Sequence, residues 1–114
     1  MCQKSTLEIL SKTPNGYVGK CKGCEKYNVV FENIFLLLTE QELYAIGHVI
    51  DENMGVWVLE QYIGKSKKVV MQTPLSNMYF AFTYQEYEDL KCLINETILV
   101  LEARNFLRQP LNQN

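Results

Sequence analysis

Asn33–Asp51 reads NIFLLLTEQELYAIGHVID, and a related pattern returns 44 residues later in Asn77–Asn95, NMYFAFTYQEYEDLKCLIN. In both copies a short apolar run ends at a threonine, and a glutamate follows three positions later (Thr39 and Glu42, Thr83 and Glu86). In such a capping box the threonine oxygen accepts a hydrogen bond from a backbone N–H of the first helical turn, and the glutamate accepts one from the threonine N–H. The pattern therefore predicts a strand that leads into a capped helix, twice in one chain.

Turn signals and alternating apolar residues predict further strands in front of each copy. Three strands precede the first apolar run and two precede the second, so the predicted order is ββββα followed by βββα. This order indicates an α+β fold of two strand-rich repeats, each an antiparallel sheet followed by a helix. We expect a single domain over residues 1–114 with an internal duplication, about 5–52 and 54–109, because 114 residues with 47% hydrophobic content can bury one core.

The strands of the first repeat differ in their apolar pattern. Tyr27, Val29 and Phe31 are spaced two residues apart, so we expect these three to face the core and Asn28 and Glu32 to face water. The following run, residues 34–38, is apolar without interruption. Such a run predicts a central strand that is buried on both faces.

The second helix is predicted to be long, from Tyr84 to about Leu107, which corresponds to roughly 36 Å. Its middle, Thr97–Leu101, is apolar on all sides, and such a helix needs partners on every side. We therefore expect a homodimer whose interface contains four residues of this helix: Leu93, Ile98, Val100 and Leu101. The alternative is that the helix crosses a sheet and is covered by loops of its own chain.

The four cysteines provide a candidate metal site. Cys21-x-x-Cys24 flanks a glycine turn, an arrangement in which two thiolates can converge on one zinc ion. A complete site needs further ligands, and Cys2 and His48 are the weaker candidates. A thiol redox role and plain reduced cysteines are the alternatives, because a single C-x-x-C pair does not distinguish among them.

Charge is distributed unevenly along the chain, although the net charge is only −2. The strand portions, residues 1–38 and 53–82, hold eight lysines and four acidic residues, whereas the rest holds three cations and nine acidic residues. Lysines beside aromatic residues on a sheet commonly hold single-stranded nucleic acid. We therefore predict a nucleic-acid-binding surface of eight residues: Lys20, Lys22, Lys26, Trp57, Tyr62, Lys65, Lys67 and Lys68. The alternative is that lysine-rich hairpins prevent edge-to-edge sheet pairing.

Two further features limit the classes of function. The first residues, MCQKS, lack the apolar segment of a signal peptide, and no apolar run reaches the roughly 18 residues of a membrane span, so we expect a cytoplasmic protein without membrane contact. The sequence contains no paired carboxylates, glycine-rich phosphate loop or nucleophile with a base, so we do not expect an enzyme.

Two resemblances add to these predictions. The opening Met-Cys, the run Asn15-Gly16-Tyr17 leading to Cys21-x-x-Cys24, and the segment 31–39 resemble a small bacterial domain family of unknown function, which implies no activity. The repeated order of antiparallel strands and a helix is similar to the PUR-repeat and Whirly-like folds, which implies single-stranded nucleic acid as a ligand and long helices that pair with a partner.

The sequence as a whole favours a dimeric, non-catalytic binding module that holds single-stranded nucleic acid on a basic sheet face. The alternative is a zinc-stabilised or thiol-bearing module that uses the sheet or the helix for a protein partner.

Overall fold

A computed structural model describes residues 7–51, 58–73 and 77–108. Side chains are described for these residues except 51 and 58–61. The elements follow the predicted order ββββα and βββα, which confirms the α+β class. In chain order they are β1 (Leu7–Thr13), β2 (Gly16–Cys21), β3 (Lys26–Phe31), β4 (Ile34–Thr39), α1 (Glu40–Asp51), β5 (Val58–Ile63), β6 (Ser66–Gln72), β7 (Tyr79–Phe82) and α2 (Tyr84–Arg108).

The strands form two antiparallel sheets in which neighbours along the chain are also neighbours in space. The first sheet has the order β1-β2-β3-β4 and the second has the order β5-β6-β7. A register shift interrupts the β1–β2 pairing between Ile9 and Ser11. Because every connection within a sheet is at most six residues long, each sheet is a simple meander of strands that follow one another along the chain.

Both helices begin at the predicted capping boxes. The Thr39 N–H donates to Glu42 Oε1 at 2.8 Å, and the Glu42 N–H donates to Thr39 Oγ1 at 3.1 Å. The second box has the same two distances, with Thr83 and Glu86 in the equivalent places. The two helix starts are therefore confirmed at the level of individual hydrogen bonds.

One hydrophobic core lies between the helices and the two sheets. The buried face of α1 carries Leu43 and Ile50, which are both fully buried. Gly47 lies between them, and a Cβ at this position would collide with the Cδ1 atom of Ile98 on α2. The missing side chain thus lets the two helices approach closely. The Phe31 ring also meets Phe82 of the second sheet edge-on, with centroids 6.0 Å apart.

Polar side chains tie α2 to the first hairpin at three points along the helix. The Asn15 amide donates to Asp89 Oδ2 at 3.1 Å, and the Ser11 hydroxyl donates to Glu96 Oε2 at 3.3 Å. Further along, Arg104 donates to Glu8 Oε2 at 2.6 Å. As the residue number rises along α2, from Asp89 to Arg104, the number of its partner falls, from Asn15 to Glu8. The helix therefore runs antiparallel to β1.

Two predictions about the first sheet are wrong. The apolar strand β4 is an edge strand and not a central one, and Phe35 and Leu37 keep 45% and 43% of their surface exposed. Asn28 does not face water, because only 3% of its surface is accessible. Both errors concern the face of the sheet that points away from the helices.

Candidate nucleic-acid interface

The β5–β6 hairpin carries the second group of predicted lysines. Lys67 lies directly opposite Tyr62, Lys68 lies opposite Gln61, and Lys65 belongs to the turn between the strands. Because successive residues of a strand point to opposite faces, Lys67 and Lys68 project from opposite sides of the hairpin. Lys65 and Lys67 are exposed and Lys68 is half-buried. The hairpin is therefore basic on both faces and at its tip.

Aromatic side chains accompany these lysines on the same sheet. Tyr62 is 70% exposed and Tyr79, on β7, is 55% exposed. Tyr62 shares a face with Lys67, and Tyr79 lies opposite Gln72, on the face of Lys68. Exposed rings beside cations are the combination that holds the bases and phosphates of a single strand. The predicted residue Trp57 lies outside the described residues.

The first group of lysines lies at the β2–β3 connection, in a different sheet and among acidic residues. The carboxylate of Glu8 is held by Arg104, whose hydrogen bond is the main reason why the pKa of Glu8 lies below its ordinary value, and Lys22 and Lys20 lower that pKa further. The pKa of Glu42 is lowered chiefly by the backbone N–H of Thr39, with a smaller effect of Lys26. All three lysines thus lie close to carboxylates that offset part of their charge.

Tyr27 connects the same region to the start of α1. Its hydroxyl donates to Glu40 Oε1 at 3.1 Å, and the Nζ atom of Lys20 lies 5.8 Å from the centre of its ring. Burial, followed by the hydrogen bond to Glu40, raises the pKa of Tyr27 to about 12. This tyrosine is 2% exposed, so its ring belongs to the core and is not available to stack on a base.

The cysteines do not assemble into a metal centre among the described residues. Cys21 is buried at 3% exposure and is disulfide-bonded, so its sulfur is not a thiolate in this structure. Cys24 is exposed in the turn, and His48 is exposed on α1. No group of three or more His, Cys, Asp or Glu side chains in the described ranges could hold a metal ion. Cys2 lies outside these ranges, and zinc binding stays a prediction.

The structure corrects the predicted interface on α2. Leu93 is fully buried and Leu101 is 6% exposed, so both belong to the core of their own chain. Ile98 is half-buried and packs against Gly47 of α1, and Val100 is half-buried. One side of the apolar middle, with Leu93, Thr97 and Leu101, is buried against the rest of the chain, whereas Leu99 on the other side stays exposed. The large hydrophobic side chains that α2 leaves exposed are Tyr84, Leu99, Phe106 and Leu107, at 52%, 65%, 73% and 78%.

Sequence reasoning missed a second exposed apolar region, on the first sheet. Ile9, Phe35 and Leu37 are each at least 43% exposed, and they lie on the face of the sheet that is opposite to the helices. The signal is present in the uninterrupted apolar run of residues 34–38, which predicts burial on both faces but does not say what covers the second face.

Comparison with known proteins places the chain in a family. The model of a family of unknown function, DUF6686, matches residues 1–108. The chain belongs to this family. Membership of DUF6686 confirms the resemblance of the cysteine and Asn-Gly-Tyr motifs to a domain family of unknown function, and it implies no activity.

No curated protein and no solved structure matches this DUF6686 chain. The similarity of its strand and helix order to the PUR-repeat and Whirly-like folds therefore stays a prediction. Within the described residues, neither helix combines the length and the apolar character that a membrane span requires.

Proposed function

We propose that the protein is a non-catalytic module that binds single-stranded nucleic acid on the β5–β6 hairpin. The observation that carries this proposal is the exposed Tyr62 directly opposite the exposed Lys67, with Lys65 at the tip and Lys68 on the other face. Phosphates would contact the lysine ammonium groups, and a base would stack on the tyrosine ring.

Charge favours this hairpin over the one at the β2–β3 connection. The β5–β6 hairpin, residues 58–72, contains three lysines and a single acidic residue, Glu60, which lies opposite Val69. By contrast, Glu8 and Glu42 accompany Lys20, Lys22 and Lys26, so a phosphate near these lysines would also meet carboxylates. Of the two lysine groups predicted to bind nucleic acid, we therefore retain the one in the second sheet.

The test is a titration of a fluorescently labelled oligonucleotide, followed by anisotropy at low salt. With about three phosphates neutralised, log affinity should fall linearly with log salt with a slope of about −2, because each phosphate contributes about −0.7. A lysine-to-glutamate change at Lys65, Lys67 and Lys68 together should abolish the anisotropy change.

The matched control reverses the other three lysines, Lys20, Lys22 and Lys26, and should leave binding within about threefold of the unmodified protein. Tyr62→Ala should weaken binding by about tenfold, because base–aromatic stacking contributes about 1–3 kcal/mol. Unchanged anisotropy of the unmodified protein at low salt, or equal losses in both triple variants, would contradict the proposal.

A further inference from the structure

The two sheets have four edge strands, β1, β4, β5 and β7, and three of them carry features that oppose pairing with another chain. Charged side chains, irregular pairing and short length are common forms of such protection. β1 has a register shift between Ile9 and Ser11 and contains the charged residues Glu8 and Lys12. β5 contains Glu60, and β7 is only four residues long. β4 has none of these features.

The edge strand β4 is uncharged and regular. Residues 33–39 contain no charged residue, no proline and no glycine. The pairing of β4 with β3 is continuous, from Phe31 opposite Ile34 to Lys26 opposite Thr39. Such an edge is a template on which a further strand can pair. Of the four edges, β4 is therefore the one suited to a partner.

The hydrogen-bond pattern decides which backbone groups β4 offers to a partner. A two-residue turn joins β3 to β4, so Phe31 and Ile34 form a hydrogen-bonded pair. Because such pairs alternate with pairs that are not hydrogen-bonded, the N–H and C=O groups of Phe35 and Leu37 point to the open side of β4. No strand among the described residues pairs with that side. The edge thus presents donors and acceptors in a row.

The side chains of β4 are apolar on both faces of the sheet. Phe35 and Leu37 lie on the face away from the helices and are 45% and 43% exposed. On the other face Ile34 and Leu36 are half-buried, and they line a partly open apolar cleft together with Phe82 of β7. A strand that pairs with β4 must therefore be apolar on both of its own faces. The uninterrupted apolar run of β4 itself meets this requirement.

We propose that β4 of a second copy of this chain pairs antiparallel with β4 around a two-fold axis at Leu36. A two-fold interface brings the same patch of both copies together. In this register Phe35 lies opposite Leu37 of the second copy and Ile34 lies opposite Leu38, so apolar side chains meet on both faces. The outward groups of Phe35 and Leu37 form about four main-chain hydrogen bonds between the copies. The two four-stranded sheets become one continuous sheet.

The size of this contact predicts a reversible dimer. The Thr39 N–H already donates to Glu42 Oε1 at 2.8 Å, so the ladder between the copies ends before this residue. A strand of this length is about 20 Å long and a sheet is about 10 Å thick, so each copy contributes on the order of 200 Å². Stable complexes bury about 1,200–2,000 Å² in total, so we expect a Kd of about 10–100 μM.

The exposed apolar residues of α2 form a competing surface. Leu99 and Phe106 are 65% and 73% exposed. The backbone groups of a helix are hydrogen-bonded within the helix, so this surface offers side chains alone. β4 offers side chains and backbone groups together, and we therefore place the contact there.

The first test compares two residues of the first sheet that lie on opposite edges. Ile9 on β1 and Leu37 on β4 belong to the same cross-strand row and are 45% and 43% exposed. Leu37→Lys should weaken the dimer by at least about 30-fold, because a lysine on an edge strand opposes pairing and the interface contains the change twice. Ile9→Lys should change the Kd by less than about threefold, because β1 lies outside the interface.

Sedimentation velocity over about 1–500 μM, which spans the expected Kd, measures the mass relative to the 13.3 kDa of one chain. A third variant, Leu99→Lys, tests the surface on α2 and should leave the dimer intact. The proposal is overturned by an unmodified chain that stays monomeric over this range or by equal weakening in Leu37→Lys and Ile9→Lys. A dimer that is lost with Leu99→Lys and kept with Leu37→Lys would place the contact on α2 instead.

The second test uses the unmodified chain, so it does not require a variant to fold. Hydrogen exchange read by mass spectrometry should show about two more protected amides in β4 at high than at low protein concentration, those of Phe35 and Leu37. The control is the edge strand β7. Its hydrogen bond from the Thr73 N–H to the Met78 carbonyl sets the pattern by which the Ala81 N–H also points to an open edge.

Exchange at Ala81 should not depend on concentration. Exchange in β4 that does not change with concentration, or an equal gain of protection in β7, would show that β4 does not pair with its copy. Neither test involves nucleic acid, so each can fail without the proposed function failing.

Discussion

The two halves of the molecule start their helices in the same way and then differ. Thr39 with Glu42 and Thr83 with Glu86 make the same pair of hydrogen bonds at the same distances. Yet α1 ends after 12 residues, whereas α2 continues for 25 and contacts both sheets. The local signal fixes how a helix begins, and the surroundings decide how far it extends and what it touches.

The lysine-bearing hairpins of the two halves are also similar in sequence but differ in the charges that surround them. Each carries three lysines at a turn, but those of the first half lie near Glu8 and Glu42, whereas the hairpin of the second half contains the single acidic residue Glu60. A duplicated pattern of lysines therefore does not imply a duplicated function. The charges that other elements bring to a hairpin decide whether it can attract phosphates.

The largest expected effects come from matching core positions of the two helices. Ile50 and Ile94 are 44 residues apart in the repeat and are 0% and 1% exposed. Replacing either by alanine should cost about 2–5 kcal/mol of stability, because the cavity adds to the lost apolar burial. We expect Ile94→Ala to cost more, since Ile94 faces residues of both sheets. Urea unfolding measures the stability loss of each variant. A loss below about 1 kcal/mol for either one would show that the two isoleucines are not equivalent core positions.

A smaller loss of stability is expected when a side chain is added at Gly16, beside the first turn, than in the core, and almost none at Gly23, in the second turn. A Cβ on Gly16 would collide with the carbonyl oxygen of Val30 and lie 3.0 Å from the Cα atom of Phe31. Gly16→Ala should therefore cost about 1–3 kcal/mol, because backbone must move. The control is Gly23→Ala, where an added Cβ meets nothing within 4 Å, and it should change stability by less than about 0.5 kcal/mol. Equal thermal melts of the two variants would contradict the close approach at Gly16.

The capping boxes allow a direct comparison of the halves. Thr39→Ala and Thr83→Ala should each cost about 1 kcal/mol, because each leaves a helix N–H without its acceptor. Thr→Ser at the same positions keeps the hydroxyl and should cost clearly less. Denaturant unfolding that gives losses differing by more than about 1 kcal/mol would show that the two boxes are equal in geometry but not in energy.

The smallest effect concerns the ion pair that joins the two halves. Glu8 and Arg104 are about 42% and 35% exposed, so Glu8→Gln should cost at most about 1 kcal/mol at neutral pH. Because the pKa of Glu8 is lowered by folding, this contribution is complete above the ordinary value of 4.5 and is lost as the pH falls through the lowered value.

The difference in stability between the unmodified protein and Glu8→Gln should therefore be present at pH 7 and disappear in acid. Thermal melts at several pH values provide the measurement, and Glu88→Gln on the exposed side of α2 is the matched control. A difference that persists unchanged at low pH would mean that Glu8 acts through packing rather than through its charge.

Features that depend on neighbouring residues were predictable from the sequence. The Thr39 and Thr83 caps follow from residues three positions apart, and the buried face of α1, with Leu43 and Ile50, follows from helical spacing. The turn at Asn15-Gly16 and the order of strands and helices likewise depend on short segments. For these features the chain contains both partners of each interaction within a few residues.

Features that depend on distant partners were not predictable. The apolar run of β4 indicated burial on both faces, but its place at the sheet edge depends on the order of four strands. Leu93 was predicted to lie in an interface because most of the elements against which α2 packs are far away in sequence. The carboxylates beside Lys20 and Lys26 come from β1 and α1, so the charge of the candidate site was visible only in three dimensions.

The polar contacts between α2 and the first hairpin have a consequence for how the protein is made. They join residues that are 74, 85 and 96 positions apart. A ribosome adds about 5–20 residues per second, so β1 exists for roughly 5–20 s before the helix that covers it has been synthesised. During that interval the core face of the first sheet is open to other apolar surfaces in the cell. We therefore expect nascent chains truncated before residue 84 to bind chaperones, and the fold to close only when the last helix emerges.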